Sequence, residues 1–363
     1  MTRDRVLLLG DYGAFGRYIA DQLAGTGNLV IAGRSEVRGR GFADSIAAEF
    51  VSCDLNDSES VLRVIAGAGL VINAAGPFRL SAYSIPRLCI GQGCHYLDLA
   101  DGRQYLTGIS ELDQAARASG VFVCSGASTT PAVTSALAAH LARGIPGIRS
   151  IRIALTAGNK NEPGVSTFAS ILSYAGAPIR LWRKSHWVQA PGWGEAEFVN
   201  FPNIGRRRVQ LCDVADLDLF PACFGAEEVT FKAGVELRLF NDGLAVLGGL
   251  RMIWPGLKLE KLAGPLVRIS RLFKGLGSYS GAVAVWVVGP AGETRSAALV
   301  ARRDGPRIPT SPAVLLARKF LAGNPPPSGA YPCAGLLDLG ELTDYLSPYG
   351  ILLFKGDERG WFI

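Results

Sequence analysis

Residues 6–24 read Val-Leu-Leu-Leu-Gly-Asp-Tyr-Gly-Ala-Phe-Gly-Arg-Tyr-Ile-Ala-Asp-Gln-Leu-Ala. The unbroken apolar run Val6 to Leu9 suits a strand covered on both faces, and Arg17 to Ala24 carries apolar residues at helical spacing. Between them lies the turn Gly10-Asp11-Tyr12-Gly13-Ala14-Phe15-Gly16. A helix opening at such a turn offers unpaired N–H groups and a partial positive charge, and Gly13 and Gly16 leave the backbone clear for a phosphate. The Gly-x-Gly-x-x-Gly spacing is imperfect, because Asp11 stands where its first glycine falls. Read alone, the motif also fits a strand-to-helix turn without a ligand.

Working outward, β-branched runs at 6–9, 29–32, 50–53, 70–73, 95–97 and 121–124 alternate with helix-compatible segments, the last helix starting near Pro131. This predicts an α/β fold, a doubly wound parallel sheet of Rossmann type spanning 1–143. Beyond Gly144 the rhythm changes to longer alternating runs at 150–156, 229–239, 280–288 and 294–302. These predict a second α/β domain, 144–330, with a mostly antiparallel sheet. A proline run at 325–327 separates it from a helix-like segment at 339–346.

Composition narrows the functional classes. The chain has 363 residues, 48% hydrophobic and 19% charged, with 45 glycines, as expected of a compact protein with many tight turns. The net charge of +6 is spread along the chain without a block of basic residues, so nucleic acid is not expected as a partner. Seven cysteines, an odd number, suit a reducing cytoplasm. The first residues lack the pattern of a signal peptide, and the apolar stretch 243–255 is interrupted by Arg251 and too short to cross a bilayer, so no transmembrane span is expected.

Candidate binding residues cluster at predicted strand ends. After the second strand, Arg34 and Ser35 take the place where an NAD-specific site holds a carboxylate; a guanidinium there binds a 2′-phosphate, which predicts NADP(H), with Arg38 and Arg40 as further helpers or plain surface charges. Asp54 and Leu55 follow the third strand, either flanking an adenine or, for Asp54, shaping a turn with Asn56 and Asp57. Ala74, Ala75, Gly76 and Pro77 follow the fourth, small enough to let backbone lie against a flat ligand. Because hydride chemistry belongs to the nicotinamide, few catalytic side chains are needed. Asp98, Asp101, Tyr83 and His95 are candidate proton donors from their positions near strand ends, and each is also readable as a turn or packing residue.

Other chemistries are argued down. No tyrosine has lysine four residues later, as short-chain dehydrogenases require, and three histidines without a Cys-x-x-Cys pair make no zinc site, so no metal is expected. The arginines Arg180, Arg183, Arg206, Arg207 and Arg208 suit substrate carboxylates. The segment 257–274 interleaves leucines with Lys258, Lys261, Arg268, Arg271 and Lys274, which fits a packed helix with a solvated basic face, a flap, or peripheral contact with an anionic membrane.

On these residues the chain resembles the saccharopine dehydrogenase-like (saccharopine reductase-like) oxidoreductases. The carriers are 10–16, Ala32 to Ser35, Asn73 to Phe78, His95 to Asp101 and Ser125 to Ser128, with Gly164 to Thr167, Leu211 to Asp213, Asp304 to Pro309 and Pro332 to Gly335 further on. The resemblance implies an NADP(H)-binding first domain, a second domain that forms the substrate cleft and a homodimer contact, and a C-terminal segment, 331–363, that returns to the first domain. It also implies hydride transfer to or from a C=N, C=C or C=O bond of a small or lipid-linked metabolite; a scaffold that binds NADP without turnover is the alternative.

Overall fold

A computed structural model of the chain describes residues 4–10, 13, 15–76, 78, 83–161, 165–357 and 360–362. From the amino end β1 (Val6–Leu9), α1 (Gly16–Leu23), β2 (Leu29–Gly33), α2 (Glu36–Ser45), β3 (Glu49–Ser52), α3 (Ser58–Ile65), β4 (Leu70–Asn73), α4 (Ser84–Gly91), β5 (His95–Asp98), α5 (Arg103–Gly108), α6 (Asp113–Ala118) and β6 (Phe122–Ser125) follow one another. Then come α7 (Thr134–Ala142), β7 (Ser150–Ala157), α8 (Val165–Tyr174), β8 (Pro178–Arg183), β9 (His186–Pro191), β10 (Glu197–Phe201) and β11 (Gly205–Leu211). The chain continues through α9 (Asp216–Phe224), β12 (Glu228–Val235), α10 (Arg238–Ile253), α11 (Ala263–Leu272), β13 (Gly281–Val288), β14 (Thr294–Ala301) and α12 (Arg307–Leu321). It ends with β15 (Gly329–Pro332), α13 (Leu339–Leu346), β16 (Ile351–Asp357) and β17 (Gly360–Phe362).

Two compact units result, Met1–Ala132 with Pro309–Leu336, and Val133–Ile308 with Leu337–Ile363. The first holds a wholly parallel sheet in the order β15-β6-β5-β4-β1-β2-β3. Its strands are short and apolar because both faces are covered. On one face Leu7, Leu9, Val71 and Val123 meet Val61 and Ile65 of α3 and Cys89 and Ile90 of α4 in a continuous core. Each fully buried leucine or isoleucine there contributes about 1.5–3 kcal/mol. Asp57 fixes the start of α3 by accepting from the Glu59 amide at 3.0 Å.

The second unit holds a mixed sheet in the order β10-β11-β12-β7-β13-β14-β16-β17, with β8 and β9 branching from β12. Its pairings are antiparallel except for β12 against β7. Helices α7, α9 and α13 cover one face. On the other, Ala154, Ala282, Ala284 and Ala298 line a core with Phe201, Val209 and Phe354. These small side chains let the sheet roll until its outermost strands meet, Trp361 Nε1 donating to the Asn200 carbonyl at 3.1 Å.

The expected boundaries at 143 and 330 differ from these units. What returns to the parallel sheet is α12 and β15, the latter pairing with β6, whereas residues 337–363 complete the second sheet through β16 against β14. The expected run 229–239 also overreaches, since β12 stops at Val235 and α10 starts at Arg238.

Candidate functional site

Strands β4, β5 and β6 each end in a buried polar residue: Asn73, Asp98 and Ser125. Asn73 and Asp98 bind the loops beyond the strands, and Ser125 binds Asp98. Asn73 Oδ1 accepts from the Ala75 amide at 3.1 Å while its Nδ2 donates to the Tyr96 hydroxyl at 3.2 Å. Asp98 Oδ1 accepts from the Ala100 amide at 3.0 Å, the Ser125 hydroxyl at 2.9 Å and the Gly126 amide at 2.9 Å. Asp98 is fully buried and its Oδ2 has no hydrogen-bond partner among the described residues. Burial pushes its carboxyl up to about 6, against the pull of hydrogen bonds from Ala100, Gly126 and Ser125.

The strand order reverses between β1 and β4, the place where ligands of open parallel sheets bind. There the two loops lie against each other. Gly10 has φ +90°, and a Cβ on it would come within 2.8 Å of the Ala75 amide nitrogen, so only glycine fits. The Gly13 amide donates to the Gly10 carbonyl at 3.2 Å, and Gly13 itself is exposed. Phe15 gives α1 no side-chain cap, its first turn carries no acidic residue, and Gly16 is its first residue, which suits an anion at that end. Asp11, Tyr12, Ala14, Pro77 and Gly164, all named from the sequence, lie outside the described residues.

Arg34 follows β2 directly and is exposed, with Ser35 partly buried behind it. The one acid in the first turn of α2, Glu36, is paired with Arg40 at 2.8 Å, so Arg40 serves a local ion pair and neutralises a carboxylate that would repel a phosphate. Asp54 Oδ1 accepts from both the amide and the side chain of Asn56 at 3.0 Å, a turn-forming role, and Leu55 packs against the core. Ala74 and Ala75 are partly buried and Gly76 is exposed.

Residues 6–124 match the family described as saccharopine dehydrogenase NADP binding domain. That stretch, which takes in β1 to β6, is thus similar to a saccharopine dehydrogenase NADP-binding domain. Over its full length it is similar in fold to apo saccharopine dehydrogenase (L-Glu forming) from Saccharomyces cerevisiae, at 14% identity and TM-score 0.69, covering 97% of this chain and 99% of that one. GenD2 from gentamicin A biosynthesis, solved in complex with NAD, matches at 15% identity and TM-score 0.44, covering 88% and 85%. A dehydrogenase from Chromobacterium violaceum matches at 12% identity and TM-score 0.40, covering 82% and 74%. No curated protein sequence matches the chain.

Within the NADP-binding domain the four candidate proton donors fall in different places. His95 opens β5, at the amino end of the strand, and so does not share the carboxyl edge; its Nδ1 accepts from the Phe122 amide at 3.0 Å and its ring stacks on Phe122. Burial there pulls its pKa below the ordinary value, which favours the neutral ring. Tyr83 is buried and its hydroxyl donates to the Tyr105 carbonyl at 2.6 Å, so its one proton is engaged in packing α4 against α5. Asp98 acts through the loops it fastens. Asp101 is exposed just beyond β5. Tyr96, whose buried hydroxyl meets Asn73, is not among the four; strand alternation is the signal that finds it, because Tyr96 shares a face with Asp98 two residues on.

In the second unit, by itself, the arginines expected to grip a substrate carboxylate have other partners. Arg183 forms a two-pronged pair with Glu195, 2.9 Å on one arm and 2.5 Å on the other. Arg180 lies over the Trp187 ring at 4.5 Å, Arg206 over Phe198 at 4.1 Å, Arg207 pairs with Glu236 at 3.1 Å, and Arg208 pairs with Asp242. The run 180–187 is thus part of the hairpin of β8 and β9, with Arg180 over Trp187 inside it and its ion pairs reaching Glu195 and Asp218 outside it. Among the described residues no group of three or more His, Cys, Asp or Glu is placed to hold a metal, and no helix is long and apolar enough to cross a membrane.

Proposed function

We propose that the protein is an NADP(H)-dependent oxidoreductase of the saccharopine dehydrogenase kind, acting on a C=N, C=C or C=O bond of a small or lipid-linked metabolite in the cytoplasm as a homodimer. The observation that carries the reading is the close approach of Gly10 to the Ala75 backbone at the turn between β1 and β4, beside a start of α1 that has no side-chain cap and no acid in its first turn. In this reading 10–16 hold the diphosphate, Arg34 and Ser35 the 2′-phosphate, Asp54 and Leu55 the adenosine side, and 74–77 the nicotinamide side. When bound, the nicotinamide supplies the hydride. The chain's own work is to fix that ring. Asp98 positions the loops after β5 and β6 from beneath, and Asp101, exposed beyond β5, is the candidate that reaches a substrate proton. Residues 144–308 serve as the substrate-binding and dimer-forming part.

Mass spectrometry of the natively purified protein tests the cofactor: retained NADP(H) supports the reading, and retained NAD(H) overturns the 2′-phosphate assignment. A substrate screen followed at the NADPH absorbance tests turnover. Tight NADPH binding with no turnover on any carbonyl, imine or enoyl substrate would favour the scaffold.

A further inference from the structure

Helix α10 turns Leu239, Val246, Leu250 and Ile253 to solvent, positions spaced by seven, four and three residues and therefore on one side of the helix. Helix α11 and the turns before and after it repeat the pattern with Leu262, Ile269, Leu272 and Leu276. These are not residues brushing solvent at an edge: Ile253 is 68% exposed and Leu272 82%. The opposite sides of both helices are already engaged. Ala263 and Val267 are buried on α11, which packs on α8, and Gly248 of α10 sits against the backbone of Gly176. Phe240 meets Phe273 edge to face at 5.5 Å and ties the start of α10 to the end of α11. Soluble surfaces scatter such side chains singly; two such stripes, on helices joined by the Phe240–Phe273 contact, mark an interaction surface.

Charge selects the partner. Residues 238–276 carry seven lysines and arginines against two acids, Asp242 and Glu260. One of those acids, Asp242, is paired with Arg208 and Arg238. Lys261, in the turn before α11, and Arg268, on it, each precede an exposed apolar residue of the stripe, so cations stand next to it. Trp254, in the turn after α10, is 62% exposed, an amphipathic ring of the kind that settles at headgroup level. A second copy docking face to face would press one basic border on another. A bilayer with anionic headgroups instead accepts the leucines and pairs the cations.

We propose that the outward faces of α10 and α11 dock this protein on an anionic phospholipid surface. The inference does not depend on the oxidoreductase reading, because its test reads lipid binding and not turnover.

The experiment is flotation of the full-length protein with vesicles of phosphatidylcholine alone and of phosphatidylcholine with phosphatidylglycerol. The protein floats with the anionic vesicles, stays behind with the neutral ones, and is released by salt, which screens the cations. Leu272→Glu and Ile269→Glu change exposed side chains, so the thermal midpoint is kept while flotation falls at least about tenfold. Lys261→Glu with Arg268→Glu lowers it by roughly five-fold per cation removed. Absence of flotation, or flotation that these variants leave unchanged, overturns the proposal. So does a lipid-indifferent dimer that Leu272→Glu converts to a monomer, which would make the occupant a second copy, or a lipid-indifferent protein whose stripe captures an acidic protein partner.

Discussion

The two sheets keep their polar groups in opposite places. In the parallel sheet the strands are apolar and the polar residues stand at the last position, where Asn73 and Asp98 hold loop amides and Ser125 donates to Asp98. In the rolled sheet the charges sit within the strands: Arg152 of β7 and Lys232 of β12 both reach Glu197 of β10, at 2.9 Å and 3.4 Å, and Arg152 lies over Trp286 of β13. One arrangement fastens loops to a sheet edge, and the other fastens strand to strand. The difference teaches that polar substitutions in the first sheet should reach the cofactor, whereas those in the second should reach stability alone.

Asp98→Ala is the largest expected break. It strands two backbone amides and the Ser125 hydroxyl without an acceptor, which costs roughly 3–5 kcal/mol in urea unfolding and weakens NADPH binding as the edge loosens. A loss below about 1 kcal/mol would remove Asp98 as the fastener.

Next in size is a pH effect. The Asp98 carboxyl rises from 3.8 to about 6 on folding, so the folded state holds the proton more tightly than the unfolded chain. The stabilisation is therefore full below pH 3.8 and is lost as pH climbs through about 6, worth about 3 kcal/mol in all. Asp98→Asn cannot titrate. Its stability relative to the parent should improve by about that amount between pH 4 and pH 8, read from urea midpoints. A difference constant across that range would mean the buried oxygen is solvated in solution.

Arg34→Asp comes third. It should weaken NADPH binding by about 1–3 kcal/mol in a fluorescence titration and NADH binding much less. Equal losses would take Arg34 away from the 2′-phosphate.

Much of the first sheet is legible because its signals are local. Short apolar strands, a glycine turn into a helix and polar residues at strand ends all lie within a few positions of one another, so β1 through β6 and the edge at Asn73 and Asp98 follow from the chain. His95 misleads for a local reason as well: it neighbours a strand end, but the amino end, and only the strand's direction separates the two. What the sequence hides is long-range. The pairing of β15 with β6 joins residues more than two hundred positions apart, and the closure of Trp361 on Asn200 spans 161. The arginines of the second unit read as substrate grips because their partners, such as Glu236 for Arg207, come from other strands and loops.

Glu197→Ala tests the second half of the comparison. It leaves Lys232, whose side chain is only 9% exposed, without its partner, while Arg152 turns to water. Because the pair is partly solvated, the loss should be about 1–2 kcal/mol, with NADPH affinity unchanged. A fall in affinity would mean that the rolled sheet also bears on the cofactor.

Asp54→Ala carries the smallest effect and separates two roles at the edge itself. The carboxylate already accepts twice from Asn56 and so shapes the turn after β3, while its backbone amide donates to Ser60 at 3.3 Å. Removing it should cost about 0.5–1 kcal/mol of stability, the worth of a local side-chain to backbone bond. Any change in NADPH affinity should be far below that of Arg34→Asp, since the turn positions the adenosine side without its charge. If affinity instead falls while the unfolding midpoint holds, Asp54 contacts the nucleotide directly, and the rule that edge carboxylates act here by fastening loops would fail at an exposed member.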